Sequence, residues 1–149
     1  MEYARGEGRG WRSRMEKWLN LKLGHTVFNP NVVSRKYLAT RIPGKNFRLL
    51  KSRDIAAYTR IARGIVNLDS KEIAYRSDYL ICFWDRSAQQ GAGTKGEVTV
   101  AKFFRKPVYL VTKQKPQDIP GWVLGCTTNM FGSFAELKAY LLRKYDVRR

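Results

Sequence analysis

The run Tyr79-Leu80-Ile81-Cys82-Phe83-Trp84 constrains this chain more than any other stretch. A strand with one wet face would alternate apolar and polar residues. This one is apolar nearly throughout, which fits a central parallel strand covered on both faces. Before it, a short helix is expected from Asp69 or Ser70, with Ile73 and Ala74 turned inward. After it, residues 94–104 read as a helix with Val98, Ala101 and Phe104 or Phe103 inward, and residues 107–111 as the next strand. Strands alternating with helices, with no internal repeat and no dividing linker, predict one domain over residues 1–149. Its class is α/β, a three-layer parallel sheet with helices on both faces.

The rest of the chain is read by the same rules. The first ten residues, with Gly6, Gly8 and Gly10 among charges, read as a loop. A helix follows from Trp11, carrying Met15, Trp18 and Leu19 at helical spacing and stopping at Gly24. Residues 25–29 read as a short strand ended by Pro30. Residues 31–50 read as a loop, with a helical turn near 33–38 and a turn at Pro43-Gly44. Ser52 can cap a helix bearing Ile55, Ala56, Tyr58, Thr59 and Ala62, with Gly64 as its end. Residues 122–126 form a weaker strand or a loop. The final helix opens with a capping box, Ser133 and Glu136, and carries Leu137, Tyr140, Leu141 and Tyr145 as its stripe. Trp18, Tyr79, Phe83 and Phe104 are expected in the core, whereas Trp11, Tyr37, Phe47 and Tyr58 could form a stacking surface.

A chain of 149 residues with 44% hydrophobic content can bury an ordinary core. Cys82 and Cys126 make no metal motif, and Cys82 reads as a buried free thiol. His25, the one histidine, reads as structural, so neither metal nor cofactor is expected. No apolar run reaches the ~18 residues of a membrane span, and no signal peptide is visible. A soluble cytoplasmic protein, without a membrane partner, is the expectation. The charge is unusual: 29 Lys and Arg against 12 Asp and Glu give +17. Residues 1–60 hold 14 of the cations and 4 of the acids, the remainder 15 and 8, so the excess is no detachable tail. Such a field attracts phosphorylated small molecules and, without sequence specificity, nucleic acid.

In folds of this kind ligands lie beyond the C-terminal ends of the strands. There the chain places Trp84-Asp85-Arg86-Ser87 and then Gly91-Ala92-Gly93-Thr94-Lys95-Gly96-Glu97. Gly91 and Gly93 allow a tight turn, and Thr94 could cap the helix, whose first N–H groups favour an anionic oxygen. The Gly-Lys-Ser/Thr ending of a P-loop is absent. Glu97 has two readings. It is a solvated carboxylate favoured by the helix N-terminus, or it is a nucleophile or base at a sugar carbon whose leaving group is a nucleobase. Asp69 and Asp85 could then hold substrate or protonate the base, with Arg86, Ser87 and the turn's N–H groups on a phosphate.

Residues 68–106 resemble the nucleoside 2-deoxyribosyltransferases and the related nucleotide N-glycoside hydrolases. The shared pieces are Asp69, Ser77-Asp78 leading into strand 79–83, Gly93-Thr94-Lys95-Gly96-Glu97, and strand 107–111 opened by Pro107. Upstream, Trp11-Arg12 and Gly24-His25-Thr26-Val27-Phe28-Asn29-Pro30 look like the family's first helix and second strand. The resemblance implies a flavodoxin-like sheet of order 2-1-3-4-5 and cleavage or transfer of the N-glycosidic bond of a nucleoside or nucleotide. Glu97 would be the nucleophile and Asp69 would lie on the base side. It further implies a homo-oligomer, because Asn129-Met130 resembles a segment that reaches a neighbouring subunit's site. The family's additional acid before the glycine turn is replaced by Gly91-Ala92, for which Asp85 is the available substitute. A more distant likeness, to phosphoribohydrolases with Gly-Gly-x-Gly-Thr-x-x-Glu, shares the turn without all its glycines. The alternative class is a non-catalytic nucleotide-sensing or nucleic-acid-binding module on the same fold.

The family's first strand is truncated or missing here, since only Met1-Glu2-Tyr3-Ala4 precedes the glycine-rich loop. Three resolutions are open: strand 25–29 pairs directly with 79–83, a partner fills the gap, or the natural chain starts further upstream. The last is the favoured expectation.

Overall fold

The computed structural model describes residues 9–146. The expected N-terminal loop, apart from its last two residues, and the Met1-Glu2-Tyr3-Ala4 segment lie outside them. Helix α1 (Arg9–Leu23) is followed by α2 (Pro30–Arg41), α3 (Phe47–Arg53) and α4 (Ile55–Tyr75) before the first strand, β1 (Leu80–Trp84). Then come α5 (Arg86–Gln90), α6 (Gly93–Phe103), β2 (Val108–Thr112), α7 (Gly121–Cys126), β3 (Asn129–Phe131) and α8 (Phe134–Tyr145). The three strands form a parallel sheet in the order β1-β2-β3, with Leu80 opposite Val108 and Tyr109 opposite Asn129.

Alternation along the strands sorts side chains into two cores. Cys82, Trp84, Val108 and Leu110 meet Ile73 of α4, Val98 and Ala101 of α6, and Val123 and Cys126 of α7. Tyr109 and Val111 point the other way, against Met15 and Leu19 of α1 and Leu137 and Leu141 of α8. Ile81 and Phe83 pack on this second core. The expected α/β domain with helices on both sheet faces is therefore present. Cys82 and Cys126 are both buried and free. Among the described residues no helix is long and apolar enough to cross a membrane.

Several local expectations give way. Residues 25–29 are extended but belong to no ladder, because no strand lies between them and β1 among the described residues. The loop over 31–50 is instead two helices. Asn29 caps α2, its carboxamide oxygen accepting from the Asn31 N–H at 3.2 Å, and Pro30 sits where the helix needs no donor. Asn46 caps α3 in the same way. The turn between them holds: Gly44 has φ +69°, a conformation open to glycine.

Gly64 does not end a helix, and Asp69 does not begin one. Both lie inside α4, which Asp54, not Ser52, caps by accepting from the Ala57 N–H at 2.9 Å. Gly64 is there for space: a Cβ on it would sit 2.0 Å from the Tyr37 hydroxyl. Residues 122–126 are helical. Phe103 and Phe104 are both exposed, the first at 81%. The capping box forms, with the Glu136 N–H donating to Ser133 Oγ at 3.2 Å and the Gly132 N–H donating to the Glu136 carboxylate at 2.9 Å.

Candidate functional site

A cleft of about 710 Å³ runs along the edge of β1 that faces away from β2. Tyr79, Leu80 and Ile81 form one wall and Thr26, Val27, Phe28 and Asn29 the opposite one. One end is bridged by His25 Nδ1 and the Tyr79 hydroxyl, 2.8 Å apart, with Tyr145 stacked on Tyr79. Helix α1 contributes Trp11, Arg12, Met15 and Leu19, and α4 contributes Asp69, Glu72 and Ile73. Glu97 of α6 completes the lining. The volume falls within the ~300–1,000 Å³ of small-molecule sites.

The chain's geometry explains how Asp69 and Glu97 meet. Helix α4 leads into β1 and so runs antiparallel to it, which leaves Asp69, six residues before the helix ends at Tyr75, about 9 Å back from that end and level with the middle of the strand. Helix α6 starts beyond the strand's C-terminal end, and Glu97 lies in its second turn. Both residues are half-buried, and Arg12 shares the lining with them.

Burial pushes the Glu97 pKa up, and the Arg12 guanidinium opposes that shift. Asp69 is pushed up to about 7, first by burial and then by the negative charge of Glu97, against Arg12. Arg12 is itself lowered by burial, which the Glu97 charge offsets most among its neighbours. Two carboxyls sharing one cleft favour holding a proton between them, because a second negative charge is costly there. Arg12 opposes protonation of both carboxyls, and burial still leaves each of them raised.

Two buried polar atoms of the cleft lining, Trp11 Nε1 and Asp69 Oδ1, have no hydrogen-bond partner among the described residues. A donor and an acceptor left in this state suit a ligand that supplies the complementary groups. Asn29, by contrast, is occupied, its carboxamide donating to Glu16 at 3.0 Å.

The remaining expected site residues are not brought to this cleft. Asp85 spends its carboxylate capping α5, where it accepts from the Ala88 N–H at 2.9 Å. Arg86 is exposed, and Ser87 lies in the five-residue helix α5, which carries the glycine turn past the strand end. Gly91 closes α5, Gly93 opens α6, and Lys95 Nζ ties back to the Gln89 carbonyl at 2.8 Å. Thr94 is buried inside the first turn and does not cap it; Ala92 is the N-cap, with no side-chain bond. Asn129 lies in β3, on the other side of β2, and accepts from the Tyr140 hydroxyl at 3.4 Å.

Arg12 is the functional group that residue-by-residue reading left without a role. Its signal was present, because Arg12 shares a helix face with Met15 and Leu19, and a cation on a core-facing stripe needs an acid to meet. Among the described residues no group of three or more His, Cys, Asp or Glu side chains could hold a metal ion. The Cys82 thiol is driven up by burial, which disfavours a thiolate nucleophile. Compared with family models, curated proteins and solved structures, the chain matches none of them.

Proposed function

We propose that the cleft cleaves the N-glycosidic bond of a nucleoside or nucleoside monophosphate, with Glu97 as nucleophile and Asp69 as proton donor. One observation carries this reading: the two carboxyls, 28 positions apart in sequence, line one cleft together with Arg12, and burial raises the pKa of both. The Glu97 carboxylate attacks the anomeric carbon as the bond from that carbon to the base nitrogen breaks. The bonding pair leaves on the base, which takes the Asp69 proton. Water then attacks the glycosyl ester while the Asp69 carboxylate accepts its proton, returning both groups to their starting states. A second base in place of water gives transfer. Arg12, which opposes the protonation that burial favours at Glu97, supports the anion that attacks. Trp11 offers an N–H for the base, its ring being held by Phe134 and by the Arg12 guanidinium.

The resemblance of residues 68–106 to nucleoside 2-deoxyribosyltransferases supports the same assignment. It also supports a flavodoxin-like sheet in which the cleft corresponds to the position of a further strand, and assembly of the chain into a homo-oligomer. Five residues of strand at ~4.8 Å lateral spacing, ~3.3 Å rise and ~10 Å layer depth would occupy about 800 Å³, close to the cleft's 710 Å³.

Free base released from a panel of nucleosides and nucleoside monophosphates, followed by chromatography, tests the proposal. Glu97→Gln keeps the shape and removes the nucleophile, and release should fall by about 10²-fold or more. Asp69→Asn should slow release and abolish the decline in rate that the wild type shows as Asp69 loses its proton above pH about 7. An active wild type matched by Glu97→Gln would overturn the assignment.

A further inference from the structure

We propose that helices α2 and α3, with the first half of α4, form a docking surface for the phosphate backbone of nucleic acid. This rests on charge placement and not on the N-glycosidase reading. Neither α2 nor α3 contains a buried residue, so these helices add little to the core. What they do carry is cations. Helix α2 has Arg35, Lys36 and Arg41, the turn has Lys45, and α3 has Arg48, Lys51 and Arg53, every one exposed. Asp54 is the single acid from residue 30 to residue 68, and it is committed to capping α4. Helix α4 adds exposed Arg60 and Arg63 to the same lobe.

This arrangement works against the fold. Arg48 with Lys51, and Arg60 with Arg63, are like charges three residues apart on one helix, where they repel. A lobe that buries little and repels itself gains from a polyanion that neutralises it. The other acids of the described residues all lie outside this lobe.

The lobe's aromatic rings are already engaged within it. Phe47 stacks on Tyr58 at 4.6 Å with an interplanar angle of 13°, and the Tyr37 ring covers Gly64. Lys51 lies over Tyr58 at 5.6 Å and Arg41 over Tyr37 at 5.3 Å. Rings held in this way staple α2 and α3 to α4, which commits them to packing within the lobe and leaves its exposed cations as the groups that meet a partner. The partner's bases therefore go unread, and recognition is of phosphates, independent of sequence.

Fluorescence anisotropy of a labelled duplex of about 20 base pairs, at salt from about 50 to about 300 mM, tests this. The lobe variant joins Arg35→Gln, Lys36→Gln, Lys45→Gln and Arg60→Gln. A control joins Lys17→Gln, Lys102→Gln, Lys113→Gln and Lys115→Gln, removing equal charge from exposed positions elsewhere. The wild type should bind with a steep salt dependence. The lobe variant should lose about three units of the log–log slope and about 100-fold or more in affinity at about 100 mM salt. The control should stay within about threefold of the wild type. Equal weakening of the two variants, or no wild-type binding at low salt, overturns the proposal. A double reversal, Lys36→Glu with Lys45→Glu, gives a second reading with fewer changes, and a melting curve of each variant verifies its fold.

Discussion

Strands β1 and β2 are each five residues long and similar in composition, Leu-Ile-Cys-Phe-Trp against Val-Tyr-Leu-Val-Thr, yet they live in different surroundings. All five residues of β2 are buried, whereas only Cys82 and Trp84 of β1 are. β2 has a strand on each side; β1 has β2 on one side and the cleft on the other. Apolar composition thus expresses an expectation of cover, and neighbours decide whether it is met. The same open edge that leaves Ile81 half-covered provides the space in which Asp69 and Glu97 can face a ligand. In this sheet the well-packed strand supplies stability, and the incompletely covered one supplies the site.

The contrast is open to direct attack. Leu110→Ala in β2 should cost about 3 kcal/mol in a denaturant unfolding experiment, since a closed core relaxes only partly around the lost volume. Ile81→Ala at the cleft should cost about 1 kcal/mol, because part of that side chain is already near open space. Equal costs would break the comparison. Amide exchange is the next test. The Leu80 N–H donates to the Pro107 carbonyl at 2.8 Å, so the Ile81 and Phe83 amides point to the opposite edge. They should exchange about tenfold faster than those of Leu80 and Cys82, the effect of one net hydrogen bond. Equal protection would mean that another backbone covers the edge.

A further test is electrostatic. The folded-state pKa of Asp69, about 7, stands above its unfolded value of 3.8, so the native state holds a proton that the unfolded chain releases. That contribution to stability is complete below pH about 4 and is lost as pH rises through about 7. Asp69→Asn should flatten this part of the pH–stability curve, whereas Leu110→Ala should shift the whole curve down without changing its shape. A wild-type curve that keeps its slope in Asp69→Asn would remove Asp69 as the cause.

Legibility in the sequence followed the range of the interactions. The α1 stripe and its Gly24 stop, the two long strands, the Val98 and Ala101 face of α6 and the Ser133–Glu136 cap were readable because each depends on residues within a turn or two. Helices α2 and α3 were not. Their caps, Asn29 and Asn46, are visible, but neither helix has a fully buried residue, and a face only partly covered by α4 leaves a weak periodicity. Gly64 misled for a related reason: its missing side chain serves Tyr37, 27 positions away, and not the helix that contains it. Phe103 and Phe104 misled because apolar character alone does not say that a neighbour is present.

Sequence by itself determined the α/β class, the parallel character of the sheet and the two acids worth testing. It did so because backbone hydrogen bonding and side-chain periodicity are local and repeat along the chain. Tertiary structure alone decided that residues 25–29 stand across a cleft from β1 without pairing. It also decided that Asp85 is consumed as a cap while Arg12 joins Asp69 and Glu97. Which groups share a dielectric environment depends on distances between elements that no local pattern encodes, and burial together with charge at those distances sets the protonation states a reaction can use.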